Sequence, residues 1–136
     1  MRVEDVMTAE VHSIDGLATV AYAIAQMREH GVSSLAVNRR DETDEVGMVV
    51  VSDIARNVIA PNRSPERVNV YEVMSKPVMS LPSEMLVRYA VRLLVQFDIS
   101  RAIVVDHDRN PVGIVTLRDL VMGDQSSMHT RSQPGT

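Results

Sequence analysis

The feature that most constrains this chain is an internal repeat. When the sequence is shifted by 67 residues, identical residues align: Val3 and Val70, Val6-Met7 and Val73-Met74, Val11 and Val78, Tyr22-Ala23 and Tyr89-Ala90, Ser33 and Ser100, Val37 and Val104. Removing one residue from the charged turn at 39–45 changes the shift to 66, which aligns Gly47 and Asp53 with Gly113 and Asp119. So many matches in one frame indicate a duplicated unit.

Each copy is predicted to contain the same elements in the same order. The copies open with a short helical turn and an extended segment, at Val3–Met7 and Val11–Ile14 in the first and at Val70–Met74 and Val78–Leu81 in the second. An amphipathic helix follows, because apolar residues recur every three or four positions. The first such helix is predicted over Leu17–His30, ending at Gly31 as a left-handed cap. The second runs from a Ser83 N-cap to Phe97, and Asp98 takes the place of the glycine.

Two strands and a final helix complete each copy. The strands are predicted at Leu35–Asn38, Val46–Val51, Ala102–Asp106 and Val112–Leu117. The final helices begin at Ser52 and Arg118 and run to about Ile59 and Met122. The predicted boundaries are 1–60 for the first repeat, 61–69 for a linker, 70–122 for the second repeat and 123–136 for a disordered polar tail.

The fold class that follows is α/β, of the α+β kind, built from two β-α-β-β-α repeats. A unit of this size standing alone would expose one face of its sheet to water. We therefore expect the two repeats to pack sheet to sheet with pseudo-twofold symmetry, and a cleft to lie between them.

Composition excludes several classes of function. The net charge is −4, so general binding to nucleic acid or to anionic membranes has no electrostatic support. No apolar run approaches the roughly 18 residues of a membrane span, and the acidic, amphipathic N-terminus does not resemble a signal peptide, so a cytoplasmic location is expected. Aromatic residues make up 3%, too few for a platform that stacks single-stranded nucleic acid.

Catalysis has little support in the sequence. The chain has no cysteine, which excludes disulfides, thiolate metal sites and a cysteine nucleophile. Its four histidines show no metal-ligand spacing, and neither a serine with a plausible base nor a glycine-rich phosphate loop is present. We expect no enzyme activity, no metal and no required cofactor.

The duplicated motifs resemble those of a known family. The Val-Met-Thr/Ser openings, the segment Ile99–Val105 and the closing segment Gly113-Ile114-Val115-Thr116-Leu117-Arg118-Asp119 are similar to those of a tandem pair of CBS domains, also called a Bateman module. The resemblance covers residues 1 to about 122. It implies a stand-alone regulatory module that binds AMP, ADP, ATP or S-adenosylmethionine between the repeats and signals to an unknown effector protein, and it implies a homodimer.

The resemblance also implies roles for particular residues. The closing aspartate, Asp119 or Asp53, accepts hydrogen bonds from ribose hydroxyls, and Thr116 contacts ribose or phosphate. Backbone groups of the opening extended segments hold the adenine, and polar residues at the start of the next strand approach phosphate. The residues so implicated in binding are Met79, Ser80, Ser100 and Arg101 in the second copy and His12, Ser13 and Ser34 in the first.

General chemistry supports these roles for the second copy. An ionised carboxylate only accepts hydrogen bonds, so Asp119 can take both hydroxyls of a vicinal diol, and the planar guanidinium of Arg101 suits phosphate oxygens. The first copy has Val50 and Ser34 where the second has Thr116 and Arg101. We therefore predict one competent site, organised by Asp119, and a second that is weak or empty.

Structural explanations remain open for the same residues. Aspartate is favoured in the first turn of any helix by the helix dipole, Thr116 suits a strand because it is β-branched, and Arg101 can be a surface residue. The competing function is a dimeric interaction scaffold with no small-molecule ligand. A nucleic-acid regulator is a third alternative, but it would need a basic face that this acidic chain does not show.

Overall fold

Two three-stranded sheets form the framework of the protein. The computed structural model describes residues 1–76 and 79–123, so the predicted tail lies outside the described residues except for Gly123, as does Val78 of the second extended segment. The strands are β1 (Ser13–Ile14), β2 (Ser34–Val37), β3 (Gly47–Val50), β4 (Ser80–Pro82), β5 (Arg101–Val105) and β6 (Pro111–Thr116). The sheet orders are β1-β2-β3 and β4-β5-β6, and in each the first pair is parallel and the second antiparallel.

The helices occupy repeat-related places in the chain. They are α1 (Val20–His30), α2 (Val51–Ile54, continued by a π-helical turn over Ala55–Ile59), α3 (Val87–Gln96), a final helical segment over residues 117–123, and two 3₁₀ turns at Val3–Asp5 and Val70–Glu72. The predicted α+β class and the two β-α-β-β-α repeats are confirmed.

Local hydrogen bonds define the ends of α1. The Thr19 hydroxyl accepts the Tyr22 N–H at 3.1 Å, so the helix begins after Thr19 rather than at the predicted Leu17. Leu17 instead donates its N–H to the Asp15 carboxylate in the turn before the helix. At the other end Gly31 has φ +65°, which confirms the predicted left-handed cap.

The prediction that Ser83 caps α3 was wrong, because the N-cap is Leu86. The Ser83 N–H donates to the Val105 carbonyl at 3.0 Å, which continues the β4–β5 pairing and places Ser83 in the turn between β4 and the helix. Its side chain is therefore one turn too early to cap. Asp98 has φ +53°, so it adopts the left-handed conformation of its counterpart Gly31, as Asp and Asn tolerate best among non-glycine residues.

The chain divides into two compact units, each with its own apolar cluster. The contiguous unit is His12–Val78, and the split unit consists of Met1–Val11 together with the residues from Met79 onward. The fully buried members of the two clusters include Val20, Val49, Val58 and Val70 in the contiguous unit and Val3, Leu81, Leu94, Val115 and Leu120 in the split unit.

These units differ from the sequence repeats, because each opening turn belongs to the unit built by the other repeat. In the split unit the Val3 N–H donates to the Met85 carbonyl at 2.8 Å, and Thr8 forms an isolated bridge with Ile114 of β6. The related bonds of the contiguous unit join Val70 to Ala18 at 2.8 Å and Ser75 to Met48 of β3. The boundaries 1–60 and 70–122 therefore stay a prediction about the sequence repeats.

The first testable prediction compares two repeat-related glycines. A Cβ on Gly113 would meet the Met7 sulfur and lie 3.0 Å from the Thr8 carbonyl oxygen, whereas one on Gly47 would lie 3.0 Å from the flexible Met74 sulfur and 3.4 Å from the nearest backbone oxygen. Gly113→Ala should therefore lower the free energy of unfolding by about 1–3 kcal/mol. Gly47→Ala should lower it less, as measured by urea denaturation. Equal losses would contradict this account of the close approach.

Candidate functional site

The predicted site residues of the second repeat lie at one end of the β4-β5-β6 sheet. We call such an end, where strands begin or finish, an edge of the sheet. β5 begins there and β6 ends there, because Arg101 pairs directly with Thr116 in the antiparallel register. β4 also begins at this edge, since the Met79 carbonyl accepts the Ile103 N–H at 3.1 Å. The residues brought to this edge are Met79, Ser80, Ser100, Arg101, Thr116 and Asp119.

Thr116 and Asp119 cap the last helix reciprocally. The Thr116 hydroxyl accepts the Asp119 N–H at 3.0 Å, and the Asp119 Oδ2 atom accepts the Thr116 N–H at 3.1 Å. This is a capping box, which satisfies two of the free N–H groups at a helix start. The spacing of the two residues in the sequence therefore has a structural cause, in addition to any role in binding.

The capping box leaves part of each side chain available for a ligand. Within the described residues, Asp119 Oδ1 has no hydrogen-bond partner, and the Thr116 hydroxyl still has its own proton to donate. Both groups are held in one orientation by the cap. Arg101 is partly buried on the neighbouring strand, and no acidic side chain among the described residues forms an ion pair with it. The edge thus presents an acceptor, a donor and a cation together.

The contiguous unit has a corresponding edge. Ser34 of β2 pairs with Val50 of β3, and the His12 carbonyl accepts the Ala36 N–H at 3.0 Å. Four predicted site residues lie at this edge: His12, Ser13, Ser34 and Asp53. The backbone agrees with the other unit, since the bond from Val51 N–H to the Ser33 carbonyl corresponds to that from Leu117 N–H to the Ser100 carbonyl.

The side chains at this second edge are differently engaged. Val50 occupies the N-cap position of α2 and has no side-chain cap bond. The Asp53 carboxylate lies 3.6 Å from the Arg56 guanidinium, one turn along the same helix. Ser34 is only 7% exposed, in contrast to the partly exposed Arg101. The side chains of the two copies are thus placed differently, and the weak or empty second site stays a prediction.

His12 makes a contact that the sequence did not indicate. Its ring stacks on that of His30 with centroids 3.7 Å apart and planes 12° from parallel. Sequence spacing could not show this, because the two residues are brought together by the end of α1.

Across residues 1–76 and 79–123 no three His, Cys, Asp or Glu side chains are grouped so that they can hold a metal ion.

A cavity of about 660 Å³, which we call the edge cavity, lies within the contiguous unit. It opens at the opposite edge of the sheet from His12 and Ser34, where β1 and β2 end. Its lining consists of Asp15, Gly16, Leu17, Val37, Asn38, Arg39, Arg40, Tyr71, Met74 and Lys76. Sequence analysis missed this cavity and assigned residues 39–45 to a solvated turn, although the adjacent Arg39 and Arg40 were a usable signal.

Asp44 anchors two of the cations that line the edge cavity. Its carboxylate lies 2.5 Å from the Lys76 ammonium and 3.2 Å from the Arg40 guanidinium, and only 9% of the side chain is exposed. The hydrogen bond from Lys76, with those from Arg40, holds the pKa of Asp44 well below its usual value of 3.8. Two cations therefore share one carboxylate at this edge.

No helix in the described part of the chain is long and apolar enough to cross a membrane.

The fold and the repeat-related edges together define the class of protein: a tandem pair of small α+β modules. Comparison with known proteins agrees, since residues 3–60 and 70–124 each match the CBS domain. Over 125 residues the chain is 33% identical to the CBS domain-containing protein YhcV of Bacillus subtilis, which covers 92% of this chain and 86% of YhcV. The chain belongs to the CBS domain family.

Other relatives extend this comparison. The chain is 35% identical over 97 residues to an uncharacterised protein of Methanopyrus kandleri, but the match spans only 48% of that protein and 71% of this chain. The structure of a hexameric CBS-CP12 protein from bloom-forming cyanobacteria has a TM-score of 0.85 at 32% identity, covering 100% of this chain and 77% of that one.

A more distant structure shows the same fold with ligands. The CBS domain pair of protein MJ0100, solved in complex with 5′-methylthioadenosine and S-adenosyl-L-methionine, has a TM-score of 0.76 at 23% identity. The match covers 93% of this chain and 98% of that one.

The second prediction tests the capping box with reciprocal variants. Thr116→Val removes the hydroxyl that accepts the Asp119 N–H, so it should lower the free energy of unfolding by about 0.5–2 kcal/mol. Val50→Thr places a hydroxyl at the extended N-cap position of α2 and should raise it, by up to about 1 kcal/mol. Urea denaturation of both variants measures the difference. A Thr116→Val protein as stable as the wild type would contradict the assignment of the cap.

The third prediction concerns acid. Because the folded protein holds the pKa of Asp44 below its unfolded value of 3.8, this group stabilises the fold above about pH 4 and ceases to do so as the pH falls further. Asp44→Asn should lower the melting temperature at pH 7 and flatten its decline between about pH 5 and pH 2. Glu42→Gln, at an exposed carboxylate of the same turn, is the control and should keep the wild-type profile.

Proposed function

We propose that this CBS domain pair is a regulatory module that binds one adenosyl ligand at the edge of the split unit. The observation that carries the proposal is the reciprocal cap of Thr116 and Asp119, which orients a free carboxylate oxygen and a hydroxyl beside Arg101. The candidate ligands are AMP, ADP, ATP and S-adenosylmethionine.

The chemistry of the edge matches the parts of such a ligand. A ribose presents two vicinal hydroxyl donors, and a carboxylate accepts both without competing donors of its own. Hydrogen bonds to a charged group contribute roughly 1.5–3 kcal/mol, so Asp119 can dominate the affinity. Arg101 lies on the strand next to Thr116 and suits phosphate oxygens or a ligand carboxylate. The adenine would contact the backbone around Met79 and Ser80.

The relatives support the ligand class without identifying the ligand. The CBS domain pair of MJ0100 binds 5′-methylthioadenosine and S-adenosyl-L-methionine, and it shares the fold of this chain at 23% identity. An adenosyl group is common to both of those molecules and to the adenine nucleotides. The proposal therefore commits to the adenosyl group and leaves the substituent at its 5′ position to experiment.

The contiguous unit would bind the same ligand weakly or not at all. Val50 supplies no hydroxyl, Ser34 supplies no charge, and the Asp53 carboxylate already has the Arg56 guanidinium 3.6 Å away. A ligand would have to compete with that ion pair. We expect one ligand per chain.

Signalling requires that the ligand bind one conformation better than another. The output would pass to an effector protein, and the module would act as a homodimer. Assembly is known for one related structure, since the CBS-CP12 protein is hexameric. We propose the effector only as a class of protein, one that binds one of the two conformations of the module.

A second candidate function is a dimeric interaction scaffold with no ligand. The capping box favours it, because Thr116 and Asp119 both have a structural role that needs no ligand. The scaffold and the sensor differ in what a ligand does to stability. A ligand present at 100 times its dissociation constant stabilises a folded protein by about 2.7 kcal/mol, and a scaffold gains nothing.

The fourth prediction uses Asp119→Asn, which keeps an oxygen to accept the Thr116 N–H but removes the charge. The wild type should show a rise in melting temperature with at least one of AMP, ADP, ATP, S-adenosylmethionine and NADH. Asp119→Asn should weaken that ligand by at least about tenfold, because the lost bonds are to a charged group. Titration calorimetry should give one site per chain.

Asp53→Asn is the matched control, since it changes the repeat-related residue in the other unit. It should leave the affinity within about twofold. No response of the wild type to any of the five compounds would support the scaffold. Two equal sites per chain would contradict the predicted asymmetry while leaving the ligand class intact.

A further inference from the structure

We propose that the edge cavity of the contiguous unit is a second ligand site, for a small organic anion that carries a phosphate or carboxylate on an apolar body. This inference is independent of the adenosyl site. The two lie at different edges and in different units, since every described residue that lines the edge cavity belongs to the contiguous unit. It also lies at the opposite edge of the sheet from Asp53 and Ser34, since Val37 in its lining is about 10 Å along β2 from Ser34.

The size of the edge cavity and its walls suit a small molecule with an apolar body. Its volume of about 660 Å³ lies within the 300–1,000 Å³ that is typical of small-molecule sites. Leu17, Val37, Tyr71 and Met74 supply apolar surface. Leu17 and Tyr71 are 75% and 51% exposed, so much of their surface is available to a ligand.

The charges at the edge cavity select an anion. Three of the 14 cationic side chains of this acidic protein line it, including Lys76, the only lysine in the sequence. Among the described residues the lining contains one carboxylate, that of Asp15, which accepts the Leu17 N–H at 2.8 Å. Counting Asp44, which holds Arg40 and Lys76, the three cations face two carboxylates, so a positive excess remains.

Arg39 is the residue that carries this excess. It is partly buried, and no acidic side chain lies within ion-pair distance of it anywhere in the described residues. A guanidinium in that situation presents a planar set of donors that fits a phosphate or carboxylate. Arg40 and Lys76, in contrast, are already fixed by Asp44 at 3.2 and 2.5 Å. The anionic group would therefore bind Arg39, with Tyr71 and its apolar neighbours against the body.

The test is a titration with 1-naphthyl phosphate, which joins a planar apolar body to a phosphate. Inorganic phosphate and 1-naphthol, which each carry half of that chemistry, are titrated alongside. The protein should bind 1-naphthyl phosphate at least about tenfold more tightly than it binds inorganic phosphate or 1-naphthol. Amide chemical shifts should change at residues 15–17 and 37–40. The same binding should persist in Asp119→Asn, where the proposed adenosyl site is disabled.

Variants decide which residues are responsible. Arg39→Gln should weaken 1-naphthyl phosphate binding at least about tenfold without lowering the melting temperature, because it removes a charged donor that has no ion-pair partner among the described residues. Tyr71→Ala should weaken it several-fold by removing an exposed wall. Arg56→Gln is the matched control: its side chain is 71% exposed in the same unit but away from the edge cavity, so the affinity should stay within twofold.

Three results would overturn the proposal. The first is unchanged binding in Arg39→Gln. The second is an equal loss in Arg56→Gln, which would mean general charge attraction. The third is loss of binding in Asp119→Asn, or shift changes confined to residues 100–119, which would place the probe at the other site. An adenosyl site that fails its own test leaves this experiment unaffected.

Discussion

β3 and β6 are each an edge strand of their sheet, and an unpaired edge strand is a template for unwanted association with another chain. In this protein the opening segments cover part of those edges: Thr8 exchanges backbone hydrogen bonds with Ile114 at 2.9 and 3.0 Å, and Ser75 does so with Met48 at 2.8 and 3.1 Å. The glycine next to each bridge permits the approach, because Met7 and Met74 lie where a larger residue would place its side chain. The strands whose ends present the predicted site residues are therefore each held by the opening segment of the other repeat.

At the end of β6, the residues that cap the next helix are also those of the proposed adenosyl site. The cap between Thr116 and Asp119 satisfies the start of a helix, and it also fixes the rotamers of the two side chains. A ligand that uses the remaining oxygen and proton meets groups that have already lost their conformational freedom, which reduces the entropy cost of binding. In the other unit Val50 cannot form this cap, and the Asp53 side chain is directed towards Arg56 instead. The valine at position 50 thus removes the cap from the helix start, and it also removes the hydroxyl that the proposed site would use.

Much of the fold was accessible from sequence because the duplication fixes a frame. The frame placed Thr116 and Asp119 at a strand-to-helix junction, and Gly31 at a helix end, where the structure has them. It placed the Ser83 cap wrongly, because side-chain preference for the cap position loses to the backbone bond between Ser83 and Val105. The sequence also could not show that each opening turn packs in the unit built by the other repeat. A turn that packed against its own repeat would give the same repeat in the sequence. The Arg39-Arg40 pair could mark a basic site, but the sequence could not show a cavity there, because three distant segments, around Asp15, Arg39 and Tyr71, meet only in the folded chain.

The exchange of the opening turns has a consequence for the order in which the chain can fold. The bridge between Met48 and Ser75 spans 27 residues, whereas that between Thr8 and Ile114 spans 106. The entropy of closing a chain grows with the logarithm of its length, so the longer closure costs about 1 kcal/mol more. During synthesis all of the contiguous unit emerges before β5 and β6 exist, and residues 1–11 must wait for them. The contiguous unit can therefore fold first, and the split unit can form only when its two distant parts, residues 1–11 and the segment that contains β5 and β6, have both been made.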